Sequence, residues 1–165
     1  MSTTTTAVSP LPETTSHYRR LASGLIVPKT QGQRTFVAER LKFPGFFDSC
    51  WESYGTDKPS QAQPETLADV YEQTKNGEIL DLLTSFHKDP TKLIWTQDQA
   101  LAFIESHPDW FKNPDPSVLF PLEGSFVARV LRRGDELRAY VLRFDFRRVW
   151  VAELRYRLVL PQRTV

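Results

Sequence analysis

The sequence is poor in the residues that chemistry most often needs. It has one cysteine, Cys50, and three histidines, at positions 17, 87 and 107. A single cysteine excludes an internal disulfide and fits a reducing compartment. Neither His87 nor His107 has a ligand-type residue three or four positions on, the spacing a metal pair would use. No metal and no cofactor is therefore expected. The seven glycines are spread singly. They form no G-x-G-x-x-G, no G-x-x-x-x-G-K-[ST] and no G-x-S-x-G, so phosphate loops and nucleophile elbows are excluded. Cys50 lies among aromatics and reads as a buried, inert thiol. No catalytic residue can be named, which argues against an enzyme without excluding one.

Long apolar runs are also missing. Nothing approaches the roughly 18 residues that span a bilayer. The Thr- and Ser-rich start has no apolar h-region, so a secretory signal is not expected, and the first arginine waits until Arg19, unlike a transit peptide. The expectation is a soluble cytoplasmic chain with no membrane partner.

Charge is what the sequence does have, and it is segregated. The net charge of +1 divides into +4 over residues 1–45, −8 over 46–116 and +5 over 117–165. All ten basic residues of the last part are arginines. Such segregation bears on partners more than on fold. The acidic and basic parts either face each other within one domain or leave a basic surface for a partner.

At 165 residues the chain reads as one domain over 17–165, preceded by a disordered tail over 1–16. Two short strands are expected at Gly24–Val27 and Thr35–Leu41. A first helix should start at Pro64, with Leu67, Val70, Tyr71 and Thr74 on one face. A second should run from Glu78 to His87 with Ile79, Leu82, Leu83 and Phe86 inward. A third should start at Thr96, where Thr96 and Gln99 fit a capping box, and end at His107-Pro108. The helical part thus covers about 64–107.

The last fifty residues read as a three-stranded antiparallel meander over about 125–160. Its strands are Ser125–Arg132, Leu137–Phe144 and Arg148–Leu160, with a turn at Arg133-Gly134-Asp135-Glu136. The expected fold is α+β, about three helices packed on an antiparallel sheet. The bulky phase of the meander, including Trp150, is assigned to the core. The other phase carries Arg129, Arg143, Arg155 and Arg157 with Val141 and Val151 among them. These six residues are the candidate binding site. Arginines around apolar centres resemble an interface more than a plain solvated face, unless the N-terminal segment covers them.

A protein or other acidic surface is the favoured partner, and nucleic acid the alternative. Three helices and a hairpin could form a winged helix with Arg132, Arg133 and Arg138 on phosphates. The third helix, however, carries no lysine or arginine. Oligomeric state is not legible.

The stretch WTQDQALAFIESHPDWF from Trp95, with the sheet sequence that follows it to Gln162, resembles uncharacterised small proteins of candidate-phylum bacteria. The matching elements are Thr96–Leu101, His107–Asp109, Val149–Ala152 and Val159–Gln162. The resemblance implies a bacterial protein. It carries no known activity, so no site residue follows from it.

Overall fold

A computed structural model describes residues 8, 9 and 11–164 of the protein. In chain order the elements are β1 (Val8–Ser9), β2 (Tyr18–Val27), β3 (Phe46–Phe47), α1 (Cys50–Ser53), β4 (Thr66–Gln73), α2 (Ile79–Thr84) and α3 (Gln97–Ser106). Then follow β5 (Val118–Leu122), β6 (Phe126–Arg133), β7 (Glu136–Arg143), β8 (Arg157–Pro161) and β9 (Arg163–Thr164). The fold is α+β. Its sheet is wider than the sequence implies: seven strands in the order β2-β4-β8-β5-β6-β7-β3. Pairing is antiparallel except at β5–β8 and β3–β7. The short pair β1–β9 stands apart from it.

The β6–β7 hairpin is where the sequence placed it. Gly134 takes a positive φ of 58° at the first position of a two-residue turn, the position where a type II′ turn asks for glycine. That turn sets the register. Arg133 pairs with Glu136, and counting back along both strands pairs Arg129 with Tyr140 and Ala128 with Val141. Side chains alternate between faces. Ala128 and Val130 therefore share a face with Ala139, Val141 and Arg143, while Val127, Arg129 and Leu131 share the other with Tyr140 and Leu142.

Both faces of the sheet are covered. On the first, α3 and the segment 34–56 pack Leu101, Phe103, Phe36, Phe43 and Trp51 against Ala128, Val130 and Val141. The Phe36 ring stacks on Trp51 with centroids 4.4 Å apart. On the second, α2 and the segment 144–156 pack Ile79, Leu82, Leu83 and Trp150 against Leu119, Val127 and Leu158. Double coverage explains why β5 is buried along its whole length rather than alternating. The capping box of α3 is present: Thr96 Oγ1 accepts from the Gln99 N–H, and Gln99 Oε1 from the Thr96 N–H, each at 3.1 Å.

Four expectations are corrected. The helix expected from Pro64 is the strand β4, held between β2 and β8. Buried Asp69 at its centre accepts from Ser23 Oγ, the Gly24 N–H and Gln162 Nε2, which pins the irregular middle of β2 to the sheet. Thr35–Leu41 is a turn, in which Thr35 Oγ1 accepts from the Ala38 N–H. The meander is β5–β6–β7 rather than the last three segments. Of the strand expected over 148–160 only Arg157–Pro161 forms, and it lies between β4 and β5, away from β7. Finally, the tail expected to be disordered is partly docked. Residues 1–7 and 10 lie outside the described residues, but the Tyr71 hydroxyl donates to the Pro12 carbonyl and Arg20 Nη1 to that of Leu11.

Among the described residues no helix is long and apolar enough to cross a membrane.

Candidate functional site

The hairpin register separates the arginines expected on one face. Arg129 and Arg143 sit on opposite faces of the sheet, because Arg129 pairs with Tyr140 while Arg143 pairs with Phe126. Arg143 lies over the Tyr54 ring at 4.6 Å and lines a hollow of about 560 Å³ with Thr91, Ser125 and Asp145. Val141 is buried on that same side. Arg155 is on no strand; it takes a left-handed conformation (φ 53°) after the turn Ala152–Leu154. Arg157 stands on β8, 3.6 Å from Asp115 and over Trp110. Val151 is exposed in the irregular segment beside buried Trp150. These six residues do not form one surface.

Arg129 nevertheless centres another. β6 presents it half-buried on the second face, and Ser117 Oγ accepts its Nε–H at 3.1 Å. The guanidinium carbon lies 5.1 Å from the Tyr140 centroid and 5.8 Å from that of Tyr156. Tyr156 meets Trp150 edge-on at 4.8 Å, and Arg148 lies over the Trp150 ring at 4.6 Å. On the other side Tyr140 is stacked with Phe46, centroids 4.9 Å apart. A chain of contacts thus runs Arg148–Trp150–Tyr156–Arg129–Tyr140–Phe46. Trp150 and Tyr156 are its buried floor, Arg148 and Tyr140 are half-buried, and Phe46 is 44% exposed on the edge strand β3. Arg133 projects from the same face of β6 as Arg129.

Three arginines of this surface make no ion pair among the described residues, and the nearest carboxylate on the ladder is Glu136, across from Arg133. Arg19, Arg20, Arg34 and Arg40 in the first part of the chain each pair with a glutamate. In the last part Arg147 pairs with Glu78 and Arg157 with Asp115. Arg129, Arg133 and Arg148 have no carboxylate within 4.0 Å among the described residues. Burial lowers the Arg129 pKa from its ordinary value, and the charges of Arg148 and Arg133 lower it further. The side chain stays a cation, because an arginine starts far above neutrality. Its guanidinium lies over two π faces, which attract cations, and among the described residues its Nη groups have no hydrogen-bond partner, which suits a bidentate anion.

Arg148, Tyr140 and Phe46 were absent from the candidates read from the sequence, and Arg133 appeared there only among the wing-tip arginines of the nucleic-acid alternative. The turn carried the signal for Tyr140: a two-residue loop at Gly134-Asp135 puts it opposite Arg129. Arg148 and Phe46 depend on the path of irregular segments and left no such signal. No protein-family model, curated protein or solved structure matches the chain.

Proposed function

We propose that the protein is a small binding module that takes an acidic partner on the surface of Arg129, Arg133 and Arg148. One observation carries this reading: three guanidiniums gather on one surface with no carboxylate partner among the described residues, in a chain whose N-terminal arginines are all paired. Gathering like charges beside a half-buried cation is unfavourable for the isolated fold. A ligand bringing negative charge reverses that penalty. The floor of Trp150 and Tyr156 holds Arg148 and Arg129 over fixed rings, so less side-chain freedom is lost when the anion binds.

The test is retention on immobilised heparin in a salt gradient. The wild type should be retained, and the triple variant Arg129→Gln, Arg133→Gln, Arg148→Gln should elute at much lower salt. A control triple at Arg19, Arg40 and Arg147 removes the same charge from paired positions and should elute close to the wild type. Equal shifts in the two triples would reduce the effect to net charge and reject the surface.

A further inference from the structure

The three arginines account for an anion, but not for the ring of Phe46. β3 is only two residues long and lies on the edge of the sheet. Exposed edge strands commonly carry charged side chains that blunt them. β3 instead presents Phe46, 44% exposed, flat against Tyr140, which in turn lies under Arg129. Cys50, Trp51 and Phe47 beside it turn inward or are half-buried. An exposed ring, Phe46, stacked on half-buried Tyr140 beside guanidiniums without ion pairs offers two things side by side: a π face and a cationic edge.

Building on the acidic-partner reading above, we infer that this surface binds single-stranded nucleic acid, with a base stacked on Phe46 and the adjoining phosphates on Arg129, Arg133 and Arg148. The unpaired guanidiniums supply the charge complementarity. An acidic polypeptide satisfies the arginines, but it covers Phe46 only where an aromatic side chain happens to fall beside its carboxylates, and polyglutamate has none. A duplex keeps its base faces stacked inside and so offers Phe46 no π face to stack on. α3, the longest helix, carries no lysine or arginine to enter a groove. A single strand uses both halves of the surface, since every base has a π face and every linkage a phosphate.

The experiment is fluorescence anisotropy with labelled oligo-dT and oligo-U of about 15 nucleotides, a length that covers a compact single-strand site. A duplex of the same length and labelled polyglutamate are measured alongside. Both single strands should bind more tightly than the duplex, and affinity should fall with salt as two or three phosphate contacts require. Phe46→Ala and Phe46→Leu should each weaken single-strand binding about tenfold, the scale of one lost stacking contact, and leave polyglutamate binding unchanged. The arginine triple should weaken both. Circular dichroism on each variant checks that the sheet is intact. Phe46→Leu keeps apolar bulk on Tyr140, so a folding defect in the alanine variant does not decide the matter. Polyglutamate binding without single-strand binding would overturn this inference and leave the acidic-partner reading standing. Single-strand binding unchanged in both Phe46 variants, or matched by the duplex, would overturn the stacking argument. Absence of binding to every polyanion would overturn both.

Discussion

Arg129 stands across the β6–β7 ladder from Tyr140, its guanidinium carbon 5.1 Å from the ring centroid. Its position is set by rings and by Ser117 Oγ, not by an opposite charge. A cation that the fold held for its own stability would be expected to have a carboxylate partner, as Arg34 does. Arg129→Met keeps the apolar stem and removes the charge. It should change stability by less than about 1 kcal/mol, since the lost cation–π contacts are offset by relief of repulsion from Arg133 and Arg148. The thermal midpoint should move upward as salt is lowered, relative to the wild type, because screening hides that repulsion. A loss of several kcal/mol would make Arg129 a structural residue.

Removing residues 1–16 should lower stability. The deletion takes away Pro12, whose carbonyl accepts from the Tyr71 hydroxyl, and Leu11, which packs on the second core. Tyr71 is fully buried, and burial holds its pKa well above the ordinary tyrosine value. Losing that hydrogen bond together with the packing of Leu11 costs about 1–3 kcal/mol, a fall of several degrees for a chain of this size. An unchanged midpoint would mean that the segment does not dock in solution.

Thr96→Ala removes the hydroxyl that accepts from the Gln99 N–H at the start of α3. The expected cost is about 1 kcal/mol in a denaturant melt. The Gln99 side chain reaches back to the Thr96 N–H, so Thr96→Ala with Gln99→Ala should cost less than the two single changes added. Full additivity would place the cap elsewhere.

Trp150 anchors the segment that the sequence suggested as a strand. Its ring is 1% exposed, and its carbonyl accepts from Gln73 Nε2 at 2.7 Å and from the Gly77 N–H. Trp150→Ala should cost about 3–5 kcal/mol, as for other buried aromatics. The same change removes the ring beneath Arg148, so heparin retention of the folded fraction should also fall. A variant that melts like the wild type would contradict the packing described.

What was legible in the sequence was local. The cap at Thr96 and the turn at Gly134-Asp135 are read from a few adjacent residues, and both are present. β4 was misread because it is an interior strand, flanked by β2 and β8, whose two faces are both packed: Ala68 and Val70 lie in the first core and Tyr71 in the second. A buried strand has an apolar run without alternation, and Leu67, Val70 and Tyr71 then fit a helix face equally well. The separation of Arg129 from Arg143 could have been counted from the turn, because a two-residue loop fixes which residues pair. The approach of Arg148 and Phe46 to that face depends on irregular chain between 34 and 56 and between 144 and 156, where no periodicity applies.

The ion pair of Arg34 with Glu39 gives the fold a pH dependence on the acid side. Arg34 Nε donates to Glu39 Oε1 at 2.7 Å and Nη2 to Oε2 at 2.8 Å, and Lys42 Nζ lies 3.0 Å from Oε2. The Arg34 hydrogen bonds hold the Glu39 carboxyl below its ordinary pKa, against burial, which acts the other way. A carboxylate with a depressed folded pKa contributes stability above its unfolded pKa, about 4.3, and loses that contribution as pH falls through the folded value. Glu39→Gln should therefore be less stable than the wild type at pH 7, by about 1 kcal/mol for a partly exposed bidentate pair. Glu105 also accepts from Arg34, which limits the loss. Below pH 4 the deficit should shrink, since the wild-type side chain is then being protonated too. Urea melts of both proteins at pH 7, 5, 4 and 3 measure the difference directly, with the titration of every other carboxylate common to the two. A deficit that stays constant across this range would mean that the glutamate acts through its shape and not its charge.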